Sequence, residues 1–325
     1  MIPFRRTVVA ALALSSLLLG AAAHAAYPDQ PVHIVVPYSP GGSSDVIARA
    51  IGDELAKVLG QPVIVDNRAG AGSLIGTQYV AQDAGNGYTL LLADVPFTIV
   101  PALYKEKARY DAEKNFAPIA LLGVAPTYLF VNSKSPISSA QDLVKRAKAA
   151  PDTVSIGSGG NGSLTHLMAE LFMINSGTRL THIPYKGAAA SVTDLAAGQI
   201  DASFTTMASA SALFQAGKLR ALAVSSDQRQ KDTPEVPTFR EAGVPRMAVE
   251  SWWGLMAPAG TPKDVQATLA KAMAKVMDTT VVKARMSAVG VSAPADGNPQ
   301  ALQKIVKADL VRWQDVIKRA DIKID

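Results

Sequence analysis

The chain contains no cysteine. That excludes disulfides, thiolate metal sites and lipid attachment through a modified N-terminal cysteine. Histidine is scarce. Of the four, His24 falls in the N-terminal segment, and His33, His166 and His182 lie in different elements. No His/Asp metal cluster is discernible, and neither a metal nor a cofactor is expected. Runs of one charge are also missing. Lys and Arg are scattered among Asp and Glu, so the formal charge of +5 describes an ordinary solvated surface and no nucleic-acid partner. A mild excess of positive charge favours anionic ligands.

Long uninterrupted apolar stretches are absent except at the N-terminus. There Arg5 and Arg6 form a basic region, Thr7 to Ala22 carries no charge, and Ala23-His24-Ala25 is a small-x-small site. A membrane span needs about 20 residues, which this stretch approaches. The Ala-x-Ala ending and the polar Tyr27-Pro28-Asp29-Gln30 instead predict a signal peptide over residues 1–25, cleaved after Ala25 on the general secretory route. The protein is then periplasmic and not a lipoprotein. Removal of Arg5 and Arg6 lowers the net charge to +3 and leaves 300 residues, ample for one large or two medium α/β domains.

What remains alternates between strand and helix patterns. Val32–Val36 is a β-branched run. Val46, Ile47, Ala50, Ile51, Leu55 and Val58 then recur at helical spacing until Gly60 ends the helix. Strands at Val63–Val65 and Leu90–Ala93 complete a βαβαβ unit, which implies a parallel sheet with helices on its faces. Ile119–Leu122 and Tyr128–Val131 read as two strands separated at Pro126. A second unit of similar plan follows, and the apolar run around Trp252-Trp253 reads as a strand returning to the first. The division expected is domain 1 over residues 26–124 and 250–325, and domain 2 over residues 125–249, with a ligand cleft between them.

Two glycine-rich turns each follow a strand and open a helix: Pro40-Gly41-Gly42-Ser43-Ser44-Asp45, and Gly157-Ser158-Gly159-Gly160-Asn161-Gly162-Ser163. A helix start carries unpaired N–H groups and partial positive charge, and glycine lets a ligand approach that backbone closely. One such turn is an anion site. Two, in separate βα units, suit two half-sites closing on one small anion. Ser163, Thr165 and His166 add neutral donors beside Gly162. Asp45 suits a helix-dipole partner better than a ligand contact. Tyr38 and Phe97 follow strands, where an apolar cleft wall and core packing are both open. Replacing Gly162 by a bulky residue is expected to abolish binding without unfolding the chain.

Other chemistries fit less well. Gly157-x-Gly159-x-x-Gly162 matches a dinucleotide-binding pattern, but Thr178 to Ile183 offers no acidic residue to hold a ribose. A hydrolase would use Ser163 as nucleophile and His166 as base; Ser163 lies in no G-x-S-x-G elbow and has no obvious third group. An exported hydrolase and a receptor for an inorganic anion are the alternatives to a carboxylate receptor.

These residues together resemble the Bug-type periplasmic receptors, also called the TctC or tripartite tricarboxylate transporter substrate-binding family. The matching segments include Pro40-Gly41-Gly42 with Asp45, Asn67-Arg68-Ala69-Gly70-Ala71-Gly72, Gly160-Asn161-Gly162-Ser163 with His166-Leu167, Thr181 to Gly187, Gly198-Gln199-Ile200-Asp201, and Ala257 to Pro262. The resemblance implies a type II periplasmic binding fold that captures small carboxylates by hinge closure. It implies ligand contacts from Ser39, Gly41, Gly42 and Ser43 on one lobe, and from Ser158, Gly162, Ser163 and Thr165 on the other. It also implies a monomer that hands its ligand transiently to membrane transporter subunits, or signals to a sensor protein. Two departures stand out. Thr205 occupies a position where many members carry a cleft-facing Asp, which points away from amino acids toward di/tricarboxylic or aromatic acids. The segment Asp94-Val95-Pro96-Phe97-Thr98 also replaces a small polar sequence, making the cleft look more apolar.

Overall fold

The computed structural model describes residues 27–185 and 187–323. The signal peptide expected over residues 1–25 lies outside them. Among the described residues no helix is long and apolar enough to cross a membrane.

Strands β1 (Val32–Val36), β2 (Val63–Asn67) and β3 (Thr89–Asp94) form a parallel array in the order β2-β1-β3. Helix α1 (Ser43–Leu59) connects β1 to β2, and α2 (Leu74–Ala81) leads to β3. The α1 pattern buries Ile47, Ala48, Ile51 and Leu55 against Ile34, Leu90 and Leu92 of the sheet. Each Ile or Leu among them contributes about 1.5–3 kcal/mol of burial. The helix stops at Gly60, whose φ of +70° lets its N–H reach the Ala56 carbonyl at 2.9 Å.

After α3 (Pro96–Tyr104), strand β4 runs without interruption over Phe116–Asn132. This corrects the expectation of two strands. The first part of β4, Phe116 to Pro126, pairs antiparallel with β9 (Glu250–Pro258). From Thr127 it pairs with β7 (Ala202–Thr206) and, from Tyr128, with β8 (Leu219–Val224). Pro126 falls at this change of partners, where its missing N–H leaves no ladder bond unmade. With β5 (Ser155–Ser158) and β6 (Thr181–Pro184), the full order is β2-β1-β3-β9-β4-β7-β5-β6, with β8 beside β4.

The second α/β array contains α4 (Ala140–Ala149), β5 (Ser155–Ser158), α5 (Leu164–Ser176), β6 (Thr181–Pro184), α6 (Ala188–Ala197) and α7 (Met207–Gln215). β5 is parallel to both β6 and β7. Three C-terminal helices, α8 (Lys263–Asp278), α9 (Thr280–Ala288) and α10 (Pro299–Arg319), follow β9. Leu269, Met273 and Val276 of α8 share a core with β1 and α1. Leu302, Val306 and Trp313 of α10 belong to a larger cluster that also takes in Val35, Leu91, Leu129 and Phe204. β4, β9 and this cluster tie the two α/β arrays together.

Candidate functional site

A cavity of about 350 Å³ opens at the carboxyl ends of β1, β3 and β7 and beside the turn after β5. Five helix starts reach it: α1 through Gly42, Ser43 and Ser44, α3 through Val95 and Pro96, α5 through Ser163 to Thr165, α6 through Ala188, and α7 through Thr206 and Ser209. Sequence reasoning found only the α1 and α5 starts. Ser251, Trp252 and Trp253 of β9 supply a further wall. Among the described residues the lining contains no Lys, Arg or His, so what attracts an anion there is helix ends and neutral donors.

The first turn is braced from behind. The Gly41 N–H donates to the Asp45 carboxylate at 3.0 Å, which also accepts from Arg49 at 2.9 and 3.1 Å and from the Asn67 amide at 2.9 Å. Burial alone would raise the Asp45 carboxyl, but the bonds from Arg49, Gly41 and Asn67 hold it below the usual carboxylate range. Asp45 is 4% exposed and does not line the cavity, in keeping with a brace for the turn. No side chain caps α1, and its ladder begins only with the Val46 N–H bonded to the Gly42 carbonyl. The N–H groups of Ser43 and Ser44 therefore precede the ladder at the cavity wall. Gly42 has an ordinary extended backbone, with φ −80° and ψ 171°, and a Cβ there would meet nothing within 4 Å.

The second turn is closed on itself. The Gly162 N–H donates to His166 Nδ1 at 3.1 Å, the Gly159 N–H to Thr165 Oγ1 at 2.8 Å, and the Gly160 N–H to Ser158 Oγ at 3.1 Å. Ser163 caps α5 by accepting from the His166 N–H, and its hydroxyl donates to the Gly160 carbonyl at 2.7 Å. His166 stacks on His182 with ring centroids 4.0 Å apart, and His182 Nε2 lies 2.6 Å from Ser158 Oγ. Burial, and then the neighbouring His166, push the His182 imidazole down to about 4. Because Nδ1 of His166 accepts, its proton sits on Nε2, 3.4 Å from Glu170. His166 thus props the turn, and Ser163 has no imidazole partner to act as its base. Ser158 and His182 do form a hydroxyl–imidazole pair, but Ser158 is fully buried and neither residue lines the cavity.

The cavity therefore gathers Tyr38, Gly42, Ser43, Ser163, Thr165 and Thr205 from the residues anticipated. Ser39, Gly41, Asp45, Phe97, Ser158, Gly162 and His166 do not line it. Ser39 is exposed outside. Of the two readings left open for Phe97, the structure shows core packing. Phe97 is 1% exposed and packs edge-on to Phe116 at 5.0 Å and against Tyr110 at 5.8 Å, inside the core. Thr205 Oγ1 is buried without a hydrogen-bond partner among the described residues.

Asp94 was not anticipated. It ends β3 and lines the cavity. Tyr38 donates its hydroxyl to Asp94 Oδ1 at 2.6 Å, and Ser44 to Oδ2 at 3.3 Å. Ser44 in turn accepts from Trp253 Nε1 at 3.0 Å. Burial raises the Asp94 carboxyl to about 7, against the opposing effect of the Tyr38 and Ser44 bonds. The cleft thus holds the Asp94 carboxyl as well as Thr205. Among the described residues no group of three or more His, Cys, Asp or Glu side chains could hold a metal ion.

The family model for the tripartite tricarboxylate transporter family receptor, TctC, matches residues 47–322. The chain belongs to this family. TctC-type receptors are periplasmic solute-binding proteins, and the two-array α/β fold around a cleft is theirs. Protein BugT of Bordetella pertussis is 34% identical over 304 residues, 92% of this chain and 91% of that one. A Rhodopseudomonas palustris protein solved with adipate is 32% identical, with a TM-score of 0.80 over 91% of this chain and 99% of its own. MatC from the same organism, solved with bound malate, is 30% identical, with a TM-score of 0.79 over 90% and 100%.

Proposed function

We propose that this TctC-type receptor captures a small di- or tricarboxylic or aromatic acid in the cavity, by hinge closure, for delivery to a tripartite tricarboxylate-type transporter. The observation that carries this reading is the convergence of five helix starts on a cavity with no cationic side chain among the described residues. Backbone N–H groups of α1, α6 and α7, none with a side-chain cap, and hydroxyls of Ser43 and Thr165 bind the carboxylate. Such donors are fixed before the ligand arrives, so binding requires little reorganisation. The relatives solved with adipate and malate favour the same ligand chemistry.

The lobes of the clamp are residues 26–124 with 250–325, and residues 125–249. β4 and β9 cross between them, so closure is a rotation about the region where β4 changes partners, Val124 to Thr127. A ligand touching both lobes binds the closed state better and shifts the population toward it. The receptor is a monomer without catalytic activity, exported to the periplasm with cleavage after Ala25. An inorganic anion would also suit helix starts. However, Trp252, Trp253, Pro96 and Leu164 in the lining offer contact to a carbon skeleton that phosphate and sulfate lack.

Thermal stabilisation of residues 26–325 tests this reading with mono-, di- and tricarboxylates, aromatic acids, phosphate and sulfate as probes. A ligand present at 100 times its Kd adds about 2.7 kcal/mol to the folded state. Stabilisation by one carboxylate subclass, with no turnover product, is the expected result. Stabilisation by phosphate or sulfate alone, or conversion of a bound ester, would refute it.

A further inference from the structure

We infer that Asp94 is a specificity-determining acceptor, and that the ligand carries a hydrogen-bond donor, a hydroxyl or an ammonium, in addition to its carboxylate. This rests on the carboxylate reading above and specifies the rest of the ligand.

Three observations on different elements lead there. First, among the described residues Asp94 is the one carboxyl group that lines the cavity, and no cation lines it with Asp94. The other polar groups of the lining are hydroxyls, the indole N–H groups of Trp252 and Trp253, and backbone groups, and the helix starts present donors. A ligand made only of carboxylate and hydrocarbon would satisfy the donors and leave Asp94 facing an apolar body or a second negative charge. Both are costly in a partly dehydrated cavity.

Second, the hydrogen bonds around Asp94 run in one direction. Trp253 Nε1 can only donate, so it fills a lone pair of Ser44 Oγ, and the Ser44 hydroxyl proton is left for Asp94 Oδ2. The Tyr38 hydroxyl donates to Oδ1. Tyr38 stays neutral, because burial and then Asp94 itself hold its pKa well above the usual value. The protein thus prepares Asp94 as an acceptor. A carboxylate accepts about four hydrogen bonds, and these two side chains fill only part of that capacity. Asp94 lines the cavity, where a ligand can supply a further donor.

Third, Thr205 stands in the same lining from β7 with its hydroxyl buried and unpartnered among the described residues. An unpaired buried hydroxyl costs free energy until something bonds to it. One group can serve both residues: a ligand hydroxyl donates to Asp94 and accepts from Thr205. An ammonium serves Asp94 with a stronger, charge-assisted bond and takes Thr205 as an acceptor. Asp94 lies on β3 and Thr205 on β7, in the two separate arrays, so this recognition also helps to hold the closed state.

The test is calorimetric titration at pH 8 of wild-type protein and Asp94→Asn with probe pairs that differ by the donor alone: malate and aspartate against succinate, and 4-hydroxybenzoate against benzoate. In a pair that binds, the donor-bearing member should bind wild type at least about tenfold more tightly, as a bond to a charged acceptor implies, and Asp94→Asn should reduce that ratio below about threefold. The variant should bind the donor-free member at least as tightly as wild type does, which a merely misfolded cleft would not. Equal wild-type affinity within every binding pair would overturn the inference and leave the carboxylate reading standing. So would an unchanged ratio in Asp94→Asn. Tighter binding of the donor-free members with uptake of a proton would overturn it too, by making Asp94 a donor. Absence of binding for every carboxylate would overturn both.

Discussion

The two glycine turns share a sequence signature and use it differently. In the turn after β1, the carboxylate of Asp45 takes up one backbone N–H, that of Gly41, and is itself held by Arg49 and Asn67. The start of α1 is left uncapped against the cavity. In the turn after β5, the N–H groups of Gly159, Gly160 and Gly162 are all taken by side chains of the same loop and helix. Ser163 caps α5 there, and what reaches the cavity is Gly159, its N–H already bonded to Thr165, with Leu164 and hydroxyl-bearing Ser163 and Thr165. The uncapped helix ends of this half come instead from α6 and α7. A glycine-rich helix start is therefore a ligand site only if its N–H groups are not already spent. The acceptors that spend them, Ser158, Thr165 and His166, are as short-range in sequence as the glycines themselves.

The comparison predicts unequal outcomes for one substitution made in both turns. Gly42→Val fits an ordinary extended backbone and meets no neighbour, yet it covers the free N–H groups of Ser43 and Ser44. It should weaken carboxylate binding by roughly 100-fold or more, the loss of two bonds to a charged group, with an unchanged melting temperature. Gly162→Val instead meets a φ of +76°. It should lower stability by about 1–2 kcal/mol and weaken binding less than Gly42→Val does. This revises the expectation that a bulky residue at Gly162 acts on the ligand alone. Titration calorimetry beside thermal melts separates the two; equal behaviour would break the comparison.

Asp45→Asn should come next in size. It removes the ion pair and weakens the bonds to Gly41 and Asn67 behind a buried turn, at about 1–3 kcal/mol, measured by urea unfolding. Affinity should fall with it, because α1 loses its fixed position.

A smaller effect distinguishes the second turn by its response to acid. His182 in the folded state titrates near 4 instead of 6.5. Between those values the unfolded chain takes up a proton that the folded chain refuses, so stability is full above pH 6.5 and declines as pH falls toward 4. His182→Gln keeps a partner for Ser158 and should flatten that decline in melts recorded from pH 7 to pH 4. A slope unchanged by the substitution would remove the histidine stack from the account. Smallest of all, Ser39→Ala alters an exposed residue outside the cavity and should leave affinity within about twofold, as is usual at exposed positions.

Much of the frame is readable from residues alone. The β1–α1 unit, the Gly60 stop, both turns and the return strand β9 each carry a periodic or punctuating signal. What escapes reading lacks one. α3 begins within Val95-Pro96-Phe97 and buries Phe97 to Val100 in succession, so no polar face marks a helical period, and Phe97 cannot be told from a cleft residue. α7 is a short helix of small residues, Met207–Gln215, with one buried position. Pro126 looks like a strand break because the change of partners that makes it harmless involves β7, β8 and β9, far along the chain. The His166–His182 stack and the Tyr38–Asp94–Ser44 cluster join residues from different elements. A single Asp at a strand end carries no motif that would announce it.

The most direct measurement is a titration of 15N-labelled protein with the carboxylate that stabilises it best, following the backbone N–H signals of Ser43, Ser44 and Gly162. Saturable downfield shifts of the Ser43 and Ser44 protons, with the Gly162 proton still bonded to His166 and little moved, are the predicted result. Shifts at Gly162 without any at Ser43 and Ser44 would contradict the account, placing the carboxylate on the turn that the structure closes.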